Sequence, residues 1–180
     1  EALSVYKSYK KQKNYDEAYI QWRKACEVCP ETASEGLYAD GTSFIGKELK
    51  KVDAEDPRHA VLVDSLMYLH DKRMELYPST KRSPNNRCVV LGRKATDFYK
   101  YNKDAHQEAY TMFKESLDCL GAEASATTLY QYYTASFYTM KRSLKGDTLA
   151  QSNMRAQMLT DYLNLVDYIE AGMARATEAG

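Results

Sequence analysis

Two cysteines separated by two residues, Cys26 and Cys29, form the motif in this sequence that most suggests chemistry. A zinc site needs two further ligands, and Cys88 and Cys119 do not form a second closely spaced pair. A thioredoxin-type pair lies at a helix N-terminus, where the helix dipole lowers the thiol pKa. This pair instead precedes Pro30 at the predicted end of a helix, where the dipole disfavours a thiolate. We therefore expect two packed thiols. A local or inter-helix disulfide is the alternative, and a zinc site is the least favoured.

The histidines, acidic residues and serines show no other arrangement typical of a reaction centre. His59, His70 and His106 lie in different segments without His-Glu-x-x-His spacing, so we expect no metal site. The acidic residues within 53–56 precede a proline, where carboxylates suit the capping of a helix N-terminus. The sequence contains no Gly-x-Ser-x-Gly motif and no glycine-rich phosphate loop. We therefore predict that the protein is not an enzyme and binds no cofactor.

Composition excludes several classes of protein. The chain has 180 residues with 25 Lys+Arg and 25 Asp+Glu, giving a formal net charge of zero, whereas nucleic-acid binders usually carry a basic excess. No segment approaches the ~20 apolar residues of a membrane-spanning helix. Four cysteines are too few for a disulfide scaffold and are compatible with a reducing or an oxidising compartment. We therefore expect no nucleic-acid partner and no membrane span in this chain.

Helical periodicity runs through almost the whole sequence. The four prolines fall between periodic segments, where proline begins or ends helices. No run of alternating β-branched residues indicates a strand, so the sequence predicts an all-α fold of eight helices. The predicted helices cover residues 2–12, 16–29, 34–51, 57–77, 89–101, 105–120, 123–144 and 148–172.

A small–aromatic–small pattern occurs twice at helical spacing. Ala18, Trp22 and Ala25 stand at positions i, i+4 and i+7 of the second predicted helix. Two small residues let a neighbouring helix approach closely, and the ring between them fills the groove. The same pattern recurs at Ala109, Phe113 and Ser116.

These patterns resemble the tetratricopeptide repeat (TPR), a helix–turn–helix unit with a period of about 34 residues. The resemblance implies four units over about 2–30, 34–78, 89–121 and 123–172, of which the first and third are the clearest. The second unit has an insertion around 52–60 and places His70 where a TPR packs a large residue, so a packed histidine is expected. We therefore expect one domain over 1–180, a right-handed α-solenoid of four helix pairs whose last pair acts as a cap.

Three short segments are also similar to a little-characterised group of TPR proteins of Gram-negative bacterial envelopes. The resemblance implies a periplasmic or cell-envelope location. The chain does not begin with Met, and under this resemblance we expect an exported protein whose signal has been removed. The segments are Tyr38-Ala-Asp-Gly-Thr, Asp64-Ser-Leu-Met-Tyr and Val90-Leu-Gly-Arg-Lys.

The TPR resemblance also implies a concave groove lined by the first helix of each pair. Positions on those helices that face away from the paired helix are the expected partner-binding residues. Tyrosine there offers rigid contact area with a hydrogen-bonding tip, although packing between helices is the alternative for the three tyrosines of the set. The lysines would steer an acidic partner, and their alternative role is to compensate helix dipoles. The predicted residues are Lys7, Lys10, Lys11, Tyr38, Thr42, Thr96, Tyr99, Lys100, Tyr132 and Ser136.

The sequence thus predicts a non-catalytic scaffold that binds a peptide or partner protein on its concave face. One alternative is a structural or self-assembly module without a dedicated ligand. Self-association would use an exposed apolar patch on an end helix, around Met154, Met158, Leu159 and Leu163. The other alternative is a glycan or small-molecule receptor, which would need a closed aromatic pocket.

Overall fold

The computed structural model describes residues 2–28 and 34–178, and this part of the chain is all-α, as the sequence predicts. A short 3₁₀ turn (Gly121–Glu123) precedes the seventh α-helix, and a π-helical turn (Thr139–Ser143) follows it. Within the described residues, none of the helices has the length and apolarity needed to cross a membrane. The α-helices of the described part are α1 (Ala2–Lys11), α2 (Tyr15–Val28), α3 (Glu35–Glu48), α4 (Pro57–Leu76), α5 (Asn86–Tyr101), α6 (His106–Leu120), α7 (Ala126–Tyr138) and α8 (Thr148–Glu178).

The predicted helix boundaries are accurate to within three residues at most ends. The largest differences are in the last pair, where α7 ends at Tyr138 and continues only as the π-helical turn, while α8 extends six residues beyond the predicted end at 172. The predicted end of the second helix at residue 29 lies outside the described residues. The prediction ended α8 at Gly172, whereas this glycine lies inside the helix.

Short polar side chains begin several helices. The carboxylate of Asp56 accepts the backbone N–H of Arg58 at 2.8 Å and caps α4, which confirms the capping role expected for the acidic residues before Pro57. Hydrogen bonds from the side chain and backbone of Arg58 lower the pKa of Asp56 to about 2. The hydroxyl of Ser125 accepts the backbone N–H of Thr128 and caps α7 in the same way. These caps satisfy N–H groups that the first turn of a helix leaves without partners.

The chain divides into two compact units, Glu1–Tyr77 and Pro78–Gly180. In unit 1, α1 packs on α2, α3 packs on α4, and α2 also contacts α3. In unit 2, each consecutive pair of helices from α5 to α8 is in contact. The packed pairs match the four predicted helix pairs, whereas the arrangement of all four pairs as a single array over 1–180 stays a prediction.

Trp22 is at the centre of the core of unit 1. Its ring is 5% exposed, and its indole N–H donates to the carbonyl of Leu37 at 2.8 Å. Gly41 lies so close to the ring that a Cβ at this position would overlap it. Ala18 and Ala25 are fully buried on either side, so the packing predicted from the small–aromatic–small pattern is confirmed.

Phe113 has the same role in unit 2. The ring is fully buried together with the two small residues of its pattern, Ala109 and Ser116. The Ser116 hydroxyl donates to the carbonyl of Cys88 at 2.8 Å, and Gly92 provides the space that this hydroxyl occupies. Small residues therefore let α5 approach α6 closely.

A disulfide joins Cys88, near the start of α5, to Cys119, near the end of α6, with 6.2 Å between the Cα atoms. We did not predict this pairing, because the two cysteines are 31 residues apart and only the antiparallel packing of α5 on α6 brings them together. Cys26 has a free thiol and is half-buried, as expected of a packed thiol. Its predicted companion Cys29 lies outside the described residues.

Substituting two glycines of α3 tests the close approach at Trp22. Gly41→Ala should lower the free energy of unfolding by about 1–3 kcal/mol, because the added methyl group overpacks a filled core. Gly46→Ala is the matched control in the same helix, where a Cβ meets no atom within 4 Å. Alanine there should stabilise the protein by roughly 0.5–1 kcal/mol. Urea unfolding of both variants measures these changes, and equal effects would contradict the packing described.

Removing the disulfide should destabilise unit 2. Replacing Cys88 and Cys119 by serine frees the unfolded chain of a cross-link between residues 31 apart, which should cost about 2–4 kcal/mol of stability. Cys26→Ser is the control, since Cys26 forms no disulfide. Urea unfolding with and without a reductant makes the comparison. A wild-type protein whose unfolding midpoint does not respond to the reductant would contradict the disulfide.

Candidate protein-binding surfaces

Three of the predicted binding residues are buried in their own unit. Tyr38 packs against Tyr77 with 6.0 Å between the ring centroids, and Tyr132 stacks on Tyr110 at 5.1 Å. Ser136 is fully buried, and its hydroxyl donates to the backbone carbonyl three residues earlier. In this structure these side chains do not present a surface to a partner. Tyr38 and Tyr132 therefore have the alternative role considered for them, which is packing between helices.

The hydroxyls of three further predicted residues have partners inside the protein. Thr42 donates to the carbonyl of Ala39, and Thr96 donates to the carbonyl of Gly92, each at 2.9 Å. The hydroxyl of Tyr99 lies 3.1 Å from Nδ1 of His106. Because these bonds are within one helix or between neighbouring helices, the hydroxyls contribute mainly to local structure.

The four predicted lysines are exposed. Lys10 pairs with Asp40 of α3, and the ammonium of Lys100 lies over the ring of Tyr101 at 4.7 Å from its centroid. Within the described part of the chain, Lys7 and Lys11 form no ion pair. Lys7, Lys10 and Lys11 lie on α1 of unit 1, so that helix carries the larger group of exposed positive charge.

A cluster of aromatic rings surrounds His106 at the start of α6. His106 stacks on Tyr138 with 5.3 Å between centroids, and the Arg142 guanidinium lies 4.9 Å from the Tyr138 centroid. Burial and the nearby positive charge of Arg142 lower the pKa of His106, which favours the neutral form of the ring. Among the described residues, no group of three or more His, Cys, Asp and Glu side chains could hold a metal ion. The cluster therefore acts to hold the start of α6 against the end of α7.

His70, the other histidine with a structural prediction, is 2% exposed in α4. The expectation of a packed histidine at this position is confirmed.

A buried polar network fixes α8 against α6 and α7. The Asp161 carboxylate, which is 2% exposed, accepts the Tyr110 hydroxyl at 3.0 Å and the Gln157 side-chain amide at 2.8 Å. The Tyr132 hydroxyl lies 3.5 Å from that of Tyr110. Burial raises the pKa of Tyr110 to about 12, which keeps its hydroxyl protonated as a donor. A carboxylate buried in this way favours the observed rotation of α8 about its axis, because another rotation would separate Asp161 from the Tyr110 hydroxyl of α6.

An open groove of about 580 Å³ lies beside α2 and α4 in unit 1. Tyr19 and Val61 form part of its apolar wall, while Arg23, Arg58 and Glu48 place charges of both signs along it. Sequence reasoning missed this groove, because it is formed by the second helix of each pair rather than by the first.

Most of the large apolar side chains that are exposed in the described part of the chain lie on α7 and α8, and we call eight of them the α7–α8 face. Each of its residues exposes between 38% and 72% of its surface, and a groove of about 500 Å³ between the two helices forms part of it. The rings of Tyr133 and Tyr162 join the two helices, with 6.2 Å between centroids. The face consists of Tyr130, Tyr133, Phe137, Leu159, Tyr162, Leu163, Ile169 and Met173.

The α7–α8 face overlaps only half of the apolar patch predicted on the end helix. Leu159 and Leu163 are exposed by 63% and 57%, whereas Met154 and Met158 are each 9% exposed and pack into unit 2. The two methionines were misassigned because α8 is apolar on two sides, and the sequence alone does not show which side meets α7.

No protein-family model matches the chain, and no curated protein matches it either. The interpretation of these surfaces therefore depends on their geometry.

The lowered pKa of His106 should make folding sensitive to acid. The unfolded chain binds a proton with the ordinary histidine pKa of 6.5, while the folded protein resists protonation. Unfolding therefore takes up a proton, and stability should fall as the pH falls below 6.5. His106→Gln should flatten the stability profile on the acid side of pH 6.5, and Gln107→Ala, a control at the neighbouring exposed position without a titrating group, should leave the shape of the profile unchanged. Urea midpoints across pH measure this effect, and parallel profiles for all three proteins would contradict it.

Proposed function

We propose that the protein is a non-catalytic protein-binding module and that the α7–α8 face is its main binding surface. The observation that carries the proposal is the exposure of eight large apolar side chains on two neighbouring helices, four of which line one groove. Soluble monomers rarely expose apolar patches larger than a few hundred Å². Aromatic and large aliphatic side chains have roughly 200 Å² of surface each, so this face exposes on the order of 900 Å². Covering it with a partner stabilises the complex by about 25 cal/mol per Å² of apolar surface removed from water.

The architecture that we propose for the module is TPR-like. Antiparallel helix pairs packed around Trp22 and Phe113, with small residues at the contacts, support this assignment. The proposal includes a right-handed solenoid of four pairs over 1–180, with α7 and α8 as the terminal pair. A pre-formed helical scaffold binds a partner with little ordering cost, which favours recognition of a peptide or helix.

A secondary role for the predicted concave face is favoured by the exposed lysines. Lys7 and Lys11 on α1 and Lys100 on α5 keep their charges at the surface. Exposed positive charges raise the association rate of an acidic partner more than they raise its affinity. The proposal assigns no binding role to Tyr38, Tyr132 and Ser136, because they are buried.

The disulfide supports a location in an oxidising compartment. Disulfides persist outside the cytosol and in the bacterial periplasm and are rare in reducing compartments. The bond between Cys88 and Cys119 is therefore in keeping with the cell-envelope location that the resemblance implies.

A photoreactive amino acid at Tyr162 tests the proposed function. The full chain carrying the probe is expressed in its own cells and irradiated, and crosslinked proteins are identified by mass spectrometry. The probe should capture a defined protein, because Tyr162 lies in the middle of the face and is 51% exposed.

The same probe at Tyr68 of unit 1, which is 59% exposed, is the control and should capture much less of that protein. Equal capture from both positions, or no capture from Tyr162, would contradict the α7–α8 face as the binding surface.

A further inference from the structure

We infer that the partner of the α7–α8 face is a second copy of this chain, docked so that the two α8 helices run antiparallel. The inference rests on the proposed function, since it identifies the partner of the same face. It follows from the spacing of the exposed apolar residues along α8, from the charges at the two ends of that row and from the area of the face.

The exposed apolar residues of α8 follow a coiled-coil repeat. Leu159, Tyr162, Val166, Ile169 and Met173 are separated by alternating steps of three and four residues. Four of them are exposed by 47–66%, and Val166 is partly exposed between them. This 3.5-residue spacing keeps one row of side chains facing a neighbouring helix over its whole length. The row therefore fits another helix with the same repeat, and α8 of a second copy has it.

The apolar row pairs with itself when the helices are antiparallel. Leu159 then lies beside Ile169 of the second copy, and Tyr162 lies beside Val166 of the second copy, with the same contacts repeated across the two-fold axis. The two-fold axis of this arrangement passes beside residue 164, and Leu163, which is 57% exposed, flanks the row. A two-fold interface of this kind uses the same patch on both copies and closes at the dimer.

Charges at the ends of the row favour the antiparallel direction. Arg155 lies at one end beside the groove and Glu170 lies near the other end, about 22 Å away along the helix axis. Both side chains are exposed, and neither forms an ion pair within the part of the chain that the structure describes. Antiparallel docking places Arg155 within one turn of Glu170 of the second copy, twice in the dimer. Parallel docking would instead place like charges together, which disfavours association.

The area of the face is that of a stable interface. Specific interfaces bury about 800 Å² on each partner, and the α7–α8 face offers on the order of 900 Å². Tyr133 and Phe137 of α7 extend the surface beside α8, so that the second helix lies in the groove between the two helices.

Exchanging the charges of Arg155 and Glu170 in the full chain tests this dimer. Sedimentation equilibrium of the wild type should show a monomer–dimer equilibrium. Arg155→Glu and Glu170→Arg should each weaken dimerisation roughly tenfold, and the double variant should recover most of the wild-type affinity, since it restores opposite charges. The control is Lys24→Glu, which makes the same change of charge as Arg155→Glu at an exposed position of α2. It should leave the monomer–dimer equilibrium unchanged.

A second substitution shows whether the apolar row itself is in the interface. Ile169→Asp should abolish the dimer without changing the helical circular dichroism, because Ile169 is 47% exposed in the single chain. A wild type that stays monomeric at the highest soluble concentration would overturn the inference, as would a dimer insensitive to Ile169→Asp. Failure of the double charge variant to recover affinity would overturn the antiparallel arrangement. If the chain is monomeric while Tyr162 crosslinks a different protein, the proposed function stands and the second copy is excluded as the partner.

Discussion

Close approach between helices at small residues is the constraint on which both units depend. In unit 1, Gly41 leaves no room beyond the Trp22 ring, and in unit 2, Gly92 leaves room only for the Ser116 hydroxyl. In each contact a glycine on one helix faces a side chain on the other helix, which is the Trp22 ring in unit 1 and the Ser116 hydroxyl in unit 2. Since packed interiors tolerate neither voids nor overlap, these contacts fix the distance between the helices. The remaining core residues then fill the space that this distance allows.

The orientation of the outer helix depends on a different kind of interaction. Tyr110 of α6 and Gln157 of α8 itself donate to the buried carboxylate of Asp161, and the contact with Tyr110 favours the observed rotation of α8 about its axis. The rotation that satisfies Asp161 also places Leu159 and Ile169 in solvent. The apolar surface proposed for binding is thus a consequence of a polar contact on the opposite side of the same helix.

Much of the fold could be predicted from the sequence, because proline positions and helical periodicity are local signals. The buried Trp22 and Phe113 were also predictable, since the small residues around them recur at fixed spacing. The binding residues were less predictable. Tyr132 and Ser136 were placed on a concave face by resemblance, whereas their burial depends on how α7 packs against α6. The disulfide and the Asp161 network join residues far apart in the chain, and no spacing rule indicates such pairs.

The half-buried thiol of Cys26 has a consequence for oxidative folding. Burial, with a smaller contribution from Glu27, raises the pKa of the Cys26 thiol to about 11. Attack on a disulfide requires a thiolate, and at neutral pH almost none of this thiol is ionised. Once unit 1 has folded, Cys26 is therefore a poor nucleophile toward the bond between Cys88 and Cys119. Folding of unit 1 in this way removes Cys26 as a source of the thiolate that such an exchange requires.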